Sequence, residues 1–247
     1  IKIFNIPIIL FIVSAIFILP YLIKGGILTN GESSIPINPS YINYYLVWAD
    51  KLNYGISSPS QTNIFLYSII RSILHPFSFI ADPSVIFIFL SFFLSGLFLF
   101  ICMERILNFE NKYVYLPACL LYSYNVFRTL GPLVERLNLL FIFLPLFFLL
   151  YYRLLQTRKW RYVFWLTFIS IFSSSMAGNL PLFTIPYLLM FLYLVYFILF
   201  SGQFKKIWKT IISRNIVLAL LIFIGNIFWI YPLAIYLLMQ YRQLVEG

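Results

Sequence analysis

From Pro83 to Met103 the chain carries no charged side chain. A helix of that length rises about 30 Å, which matches the hydrocarbon thickness of a bilayer. Six more uncharged apolar runs follow the same plan, over residues 3–23, 113–127, 137–152, 162–176, 181–200 and 215–239. Of the 247 residues 62% are hydrophobic and 10% charged, whereas soluble domains are nearer half apolar and a quarter charged. A water-filled exterior could not cover that much apolar surface, so lipid has to. The predicted fold class is all-α: a polytopic membrane helix bundle with about seven transmembrane helices and interfacial helices in a long first outer loop. It reads as one transmembrane domain over residues 1–247. Runs 113–127, 137–152 and 162–176 are short for spans. Run 3–23 is too long for a signal-peptide core and has no small-residue cleavage site after it, so it reads as a retained span. Opening on Ile1 and closing on Gly247 leaves room for a longer parent, of which this would be the N-terminal part.

Charge sets an orientation. There are 17 Lys and Arg against 7 Asp and Glu, a formal net charge of +10. If Lys2 is cytoplasmic and the spans alternate, the inner side receives Lys2, Arg105, Lys112, Arg153, Arg158, Lys159, Arg161, Lys205, Lys206, Lys209 and Arg214. The outer side receives Lys24, Lys51, Arg71, Arg128, Arg136 and Arg242. The two densest clusters both fall inside, as the positive-inside rule expects. The chain is expected in the plasma membrane, with its N-terminus cytoplasmic and its first long loop extracytoplasmic. No basic run is interleaved with base-stacking aromatics on a polar surface, so no nucleic-acid partner is expected. Cys102 and Cys119 lie in apolar runs and read as packing residues. With His75 as the single histidine, a His-based zinc site is out of reach. No cofactor is expected, and a divalent metal stays open. Stretch 205–214 reads as an amphipathic interfacial helix with Phe204, Ile207, Trp208 and Ile211 on one face, or as a basic loop that sets topology.

Residues 24–82 are too many for a simple connector between spans. Gly25-Gly26 and Asn30-Gly31 are turn signals, and Glu32 follows directly. Tyr41, Tyr44, Tyr45 and Trp48 recur at helical spacing, an aromatic stripe suited to the lipid–water interface, with Asp50 off it. Gly55 and Pro59 end that helix. Residues 62–79 form a second apolar helix bearing Arg71 and His75, and Asp82 closes the loop.

A carboxylate held just above a membrane among aromatics can serve as a general base, because burial raises its pKa toward the working range. A lipid-linked sugar phosphate presents its reactive carbon at that depth. The base would take the proton of an acceptor hydroxyl as it attacks the anomeric carbon, and an arginine would stabilise the departing phosphate. Glu32 and Asp50 are the candidate bases. Arg71, Arg128 and Arg136 are the candidate phosphate contacts, with His75 and Trp48 beside them as substrate-binding residues. Each also has a plainer reading: Glu32 as a solvated loop acid, Asp50 as a surface acid paired with Lys51, Arg128 and Arg136 as interfacial anchors.

Several segments carry a resemblance: the turn-rich stretch from Gly26 to Glu32 after the first span, W-A-D-K-L-N-Y-G at 48–55, N-I-F-L-Y at 63–67, L-Y-S-Y-N-V-F at 121–127 and N-I-F-W-I-Y-P at 226–232. Together they resemble the GT-C superfamily of multi-span glycosyltransferases, above all its arabinofuranosyltransferase-type and related members. The resemblance implies a polyprenyl-phosphate sugar donor, a glycan, lipid or protein acceptor outside the cell, and a catalytic acid soon after the first span. By position that acid is Glu32, where many relatives carry Asp.

Two other classes compete. A transporter or lipid-linked-sugar flippase would place charges at mid-bilayer, and no run here has one. A non-catalytic scaffold subunit needs no site at all. Asn125, Asn138, Asn179 and Asn226, the main polar marks within or beside the runs, are explained by hydrogen bonds between helices. No P-loop, GxGxxG, HExxH or nucleophile elbow is present, so ATPase, dehydrogenase and hydrolase readings lack support.

Overall fold

A computed structural model describes residues 5–24, 72–78, 83–125, 135–173, 180–202 and 204–246. Among these, regular structure is helical. The α-helices are α1 (Asn5–Lys24), α2 (Pro83–Leu107), α3 (Tyr115–Ser123), α4 (Glu135–Thr157), α5 (Trp160–Phe172), α6 (Leu180–Phe200) and α7 (Phe204–Glu246). Each uncharged run holds one of them. Four stretches are long and apolar enough to cross a membrane: Val85–Leu107, Asn138–Thr157, Leu182–Phe200 and Trp208–Ile227. This points to a membrane protein. The apolar stretches Asn5–Pro20 and Trp160–Phe172 are shorter. With nine residues α3 rises only about 14 Å, less than half a hydrocarbon core.

The helices gather into two compact units, divided within α4 after Leu150. In the first unit, Ile6 and Leu10 of α1 pack with Phe100 of α2 and with Tyr115 and Cys119 of α3. At the other end Ile18 packs with Val85, Ile88 and Phe92. The start of α1 therefore meets the end of α2, and these two helices run antiparallel. Asn5 Nδ2 donates to Tyr113 Oη at 3.0 Å, and the Ser14 and Tyr124 hydroxyls bond to each other, so α3 runs parallel to α1. Gly96 lets the three helices close: a Cβ there would stand 2.7 Å from Ser123 Oγ and 3.2 Å from Leu10 Cδ2. Cys102 and Cys119 are free thiols buried in this packing, as expected. Asn108, with φ 48°, turns the chain out of α2, a conformation asparagine tolerates better than most residues.

In the second unit, Trp160 at the start of α5 stacks under Arg214, with 4.2 Å from the guanidinium carbon to the ring centre. Further along, Ser170 of α5 meets Asn226 of α7, so α5 and α7 are parallel. Tyr187 of α6 reaches Ser170, while Tyr193 lies 6.5 Å, ring to ring, from Tyr151 near the end of α4. Tyr151 in turn donates to Asn215 Oδ1 at 2.7 Å. Helix α6 is thus antiparallel to α5 and α7. The last turn of α4, the start of α5, the end of α6 and the start of α7 share one end of this unit. Gly225 allows close approach, since a Cβ there would meet the Ile171 side chain at 3.0 Å.

A two-residue turn, Arg158 and Lys159, joins α4 to α5. Arg158 takes the left-handed conformation, φ 58°, and donates its N–H to the Leu154 carbonyl at 2.8 Å. An L side chain there costs about 1–2 kcal/mol, which is why glycine is usual at this place. Arg158→Gly should therefore raise stability by about 0.5–1 kcal/mol, after the extra freedom glycine has when unfolded. Arg158→Ala removes the same charge but keeps the strain and should give no gain. Thermal unfolding of the detergent-solubilised variants checks the difference.

One expectation is corrected. The sequence reading separates an interfacial helix over 205–214 from a span over 215–239. The structure joins them in α7, whose 43 residues would rise about 65 Å if straight. No proline or glycine lies between Phe204 and Gly225 to interrupt the i to i−4 ladder, so nothing breaks the helix at Asn215. The supposed apolar face also divides: Ile211 is buried and Trp208 exposed. Half of the spanning window is buried in α2 and in α4, against 17% in α6 and in α7. Helices α6 and α7 thus offer most of their window to surroundings that their own composition requires to be apolar.

Candidate functional site

Glu32, Trp48, Asp50, Arg71 and Arg128 lie outside the described residues, as do Asp82 and the aromatic stripe at 41–48. Arg136 stands in the first turn of α4, next to Glu135. His75 opens a short 3-10 turn, His75–Phe77, with its side chain exposed. Residues 72–74 are helical, so within the described part of the expected 62–79 helix the coil tightens before its end. Pro76 is the cause: it lacks an N–H and cannot continue the α ladder, and Ser78 N instead bonds His75 O at 3.0 Å. Of the candidates, His75 alone has a described side chain. No group of three His, Cys, Asp or Glu that could hold a metal comes together among the described residues.

The described residues assemble polar knots instead. Around residues 121–127, Tyr122 Oη donates to the Phe141 carbonyl of α4 at 3.0 Å. Ser123 Oγ lies 3.2 Å from Ser95 Oγ of α2. Tyr124 bonds Ser14 of α1, and its ring stacks on Phe92 at 5.1 Å. Asn125 Nδ2 turns back to the Tyr122 carbonyl at 2.8 Å. Four successive polar residues thus tie α3 to three neighbouring helices and cap its end. A knot of the same kind sits in the second unit. Asn226 Nδ2 donates to Ser170 Oγ at 2.9 Å and to the Ile222 carbonyl at 2.8 Å. The Ser170 and Tyr187 hydroxyls are 2.7 Å apart, and Ser173 Oγ donates to the Ser170 carbonyl at 3.0 Å. Ser170, Ser173 and Asn226 are fully buried.

These knots contain no carboxylate, imidazole or ammonium group, so they offer no acid–base pair. Their hydroxyls and amides bond one another, which is what polar groups inside an apolar bundle require. The interhelical reading of Asn226 is therefore realised, and Asn179 lies outside the described residues. Asn226→Leu should cost about 1 kcal/mol, the scale of an interhelical hydrogen bond in a bilayer. The loss would appear as a lower unfolding midpoint in detergent, and Ser170→Ala should cost less in the same background than in the wild type, because the bond from Asn226 is already gone and only the bond to Tyr187 remains to lose.

No protein-family model, curated protein or solved structure matches this chain.

A second cluster was visible in the sequence only as a topology signal. The end of α4, the α4–α5 turn and the first turns of α5 and α7 carry Arg153, Arg158, Lys159, Arg161, Lys205, Lys206, Lys209 and Arg214, all toward one end of the second unit. Between residues 151 and 245 there is no Asp or Glu. Three of these cations lie within about 6 Å of aromatic rings: Arg214 over Trp160 at 4.2 Å, Arg161 over Tyr162 at 4.8 Å, and Lys209 over Trp208 at 5.7 Å. By contrast, the turn after α2 is balanced, with Lys112 Nζ 3.7 Å from Glu104 Oε1.

Proposed function

We propose that this chain is a multi-pass glycosyltransferase of the GT-C type. It would move a sugar from a polyprenyl-phosphate carrier to a glycan, lipid or protein acceptor outside the cell. The observation that carries the reading is a sequence one. A carboxylate, Glu32, follows a turn directly after the first apolar run and opens a 24–82 segment rich in interfacial aromatics.

Two structural observations support the membrane frame that this reading needs. In the first unit α2 runs against α1 and α3, and in the second α6 runs against α5 and α7, as an alternating path through a bilayer requires. The two basic clusters of the second unit also share one end, as the positive-inside rule favours for cytoplasmic segments. In this frame the chain makes seven crossings of the plasma membrane, the N-terminus is cytoplasmic and the 24–82 loop is extracytoplasmic. The short helices α1 and α5, and the 113–127 run that holds α3, would make up the crossings beyond the four long ones.

The proposed chemistry is one displacement. The acceptor oxygen forms a bond to the anomeric carbon while the bond from that carbon to the carrier phosphate breaks. The electron pair leaves with the phosphate, whose charge an arginine (Arg128, Arg136 or Arg71) would balance. The hydroxyl proton passes to the Glu32 carboxylate, or to Asp50. Trp48 and His75 would line the sugar.

The test is transfer in proteoliposomes holding the full-length protein and a panel of polyprenyl-phosphate sugars with a hydroxyl acceptor outside. Formation of a glycosylated acceptor is expected with one donor. Movement of labelled donor across the bilayer without transfer would instead identify a transporter or flippase. Neither transfer nor movement would favour a scaffold.

A further inference from the structure

We propose that the basic end of the second unit seats the phosphate of an anionic phospholipid, with Arg214 and Trp160 at the centre of the seat. The inference needs a membrane around the helices but not glycosyl transfer.

The argument starts from an incomplete hydrogen-bond account. Arg214 lies on α7 and its guanidinium stacks on the Trp160 ring. Its Nη1 is buried yet has no hydrogen-bond partner among the described residues. Ser201, just past the end of α6 and so at the same end of the unit, has a buried Oγ in the same state. Burying a guanidinium N–H without an acceptor is costly, and the stretch 151–245 contains no carboxylate to accept it. Arg161 donates Nη2 to Tyr162 Oη at 2.8 Å, which fixes a second cation nearby in sequence to Trp160. Two donors without a partner, among positive charges that no described carboxylate balances, call for an anion with several acceptor oxygens, which is a phosphate.

Helix dipoles do not supply this preference. The starts of α5 and α7 bring positive poles to this end, but the ends of α4 and α6 bring negative ones. The side chains therefore set the field. What selects a lipid over a free anion is the apolar surface beside the charges. Trp160, Trp208, Phe200 and Ile212 are all exposed. A dissolved phosphate would leave those side chains uncovered, whereas a phospholipid covers them with its chains while its headgroup meets the cations. Tryptophan with arginine at headgroup depth is the arrangement expected for such contact.

Native mass spectrometry tests this on the full-length protein in a non-ionic detergent, titrated separately with phosphatidylglycerol and phosphatidylcholine. The wild type should retain phosphatidylglycerol about tenfold better, given the attraction each basic residue adds. Arg214→Gln should bring retention close to the phosphatidylcholine level. Arg214→Lys, which keeps the charge but loses the planar stack, should fall between. Arg242→Gln, at the far end of α7, should match the wild type. Equal retention of the two lipids by the wild type would overturn the proposal. So would an Arg242→Gln loss as large as that of Arg214→Gln, which would mean diffuse charge only. Displacement of phosphatidylglycerol by millimolar inorganic phosphate would identify a free-anion site instead and overturn the lipid assignment. The wild-type and phosphate comparisons decide the matter even if a variant fails to fold.

Discussion

Glu32→Gln is expected to lower glycosyl transfer by about a thousandfold while leaving folding and membrane insertion unchanged. The size is that of removing a positioned general base, which contributes about 10²–10⁴ in rate. Glutamine keeps the shape and hydrogen-bonding reach of the side chain but cannot take the acceptor proton. Its turn-rich surroundings, between Asn30-Gly31 and Ser33-Ser34, make a packing role improbable on sequence grounds. Asp50→Asn is the matched comparison. If Glu32→Gln retains full turnover and Asp50→Asn loses it, the base moves along the loop to Asp50. If both retain it, neither acid is the base. Initial rates with one active donor, normalised to protein with a wild-type unfolding midpoint, give the comparison.

Gly96→Leu is expected to be the most damaging single change in the first unit, at about 2–3 kcal/mol from forced overpacking. The first carbon of any side chain at 96 already falls 2.7 Å from Ser123 Oγ, and the Leu10 side chain closes the other side at 3.2 Å. Ser123 cannot move freely, because its hydroxyl bonds Ser95 across α2 and α3. Leucine therefore has to separate three helices. Gly202→Ala isolates a different effect. Nothing lies within 4 Å of a Cβ there, but φ is +63°, so its cost of about 1 kcal/mol is conformational. Unfolding midpoints in one detergent rank the two. A Gly96→Leu midpoint equal to the wild type would contradict the close approach of α1, α2 and α3.

The placement of helices was legible because an uncharged apolar run long enough to span a bilayer has few other ways to satisfy its backbone. Their ends were less so. Helix α4 continues past residue 152 to Thr157, because a long side chain such as Arg153 extends its charged tip away while its stem stays on the helix. Helix α7 begins eleven residues before its uncharged run for the same reason: a basic stretch is as compatible with a helix as an apolar one. The knots show a different limit. Ser170 and Asn226 announce that some hydrogen bond is needed inside an apolar bundle, but not that they meet each other across 56 positions. In the segment 121–127 the structural role was not legible in the sequence. Its Tyr122, Ser123, Tyr124 and Asn125 spend their polar atoms on holding helices together. Arg214 read as a topology charge, and its stacking on Trp160 depends on α5 and α7 running parallel, which no local pattern encodes. The catalytic assignment rests on where Glu32 and Asp50 fall in the chain, since the 25–71 segment lies outside the described residues.

The proposed glycosyl transfer requires the loop at 24–82 and the basic end at 153–214 to face opposite sides of one membrane. Single cysteines introduced by Ser40→Cys or Lys159→Cys, each in a Cys102→Ala/Cys119→Ala background, test this directly with a membrane-impermeant maleimide on intact cells. Labelling at position 40 before lysis, and at position 159 only after lysis, is the predicted result. Labelling of both positions in intact cells, or of 159 alone, would contradict it and remove the extracytoplasmic site on which glycosyl transfer depends.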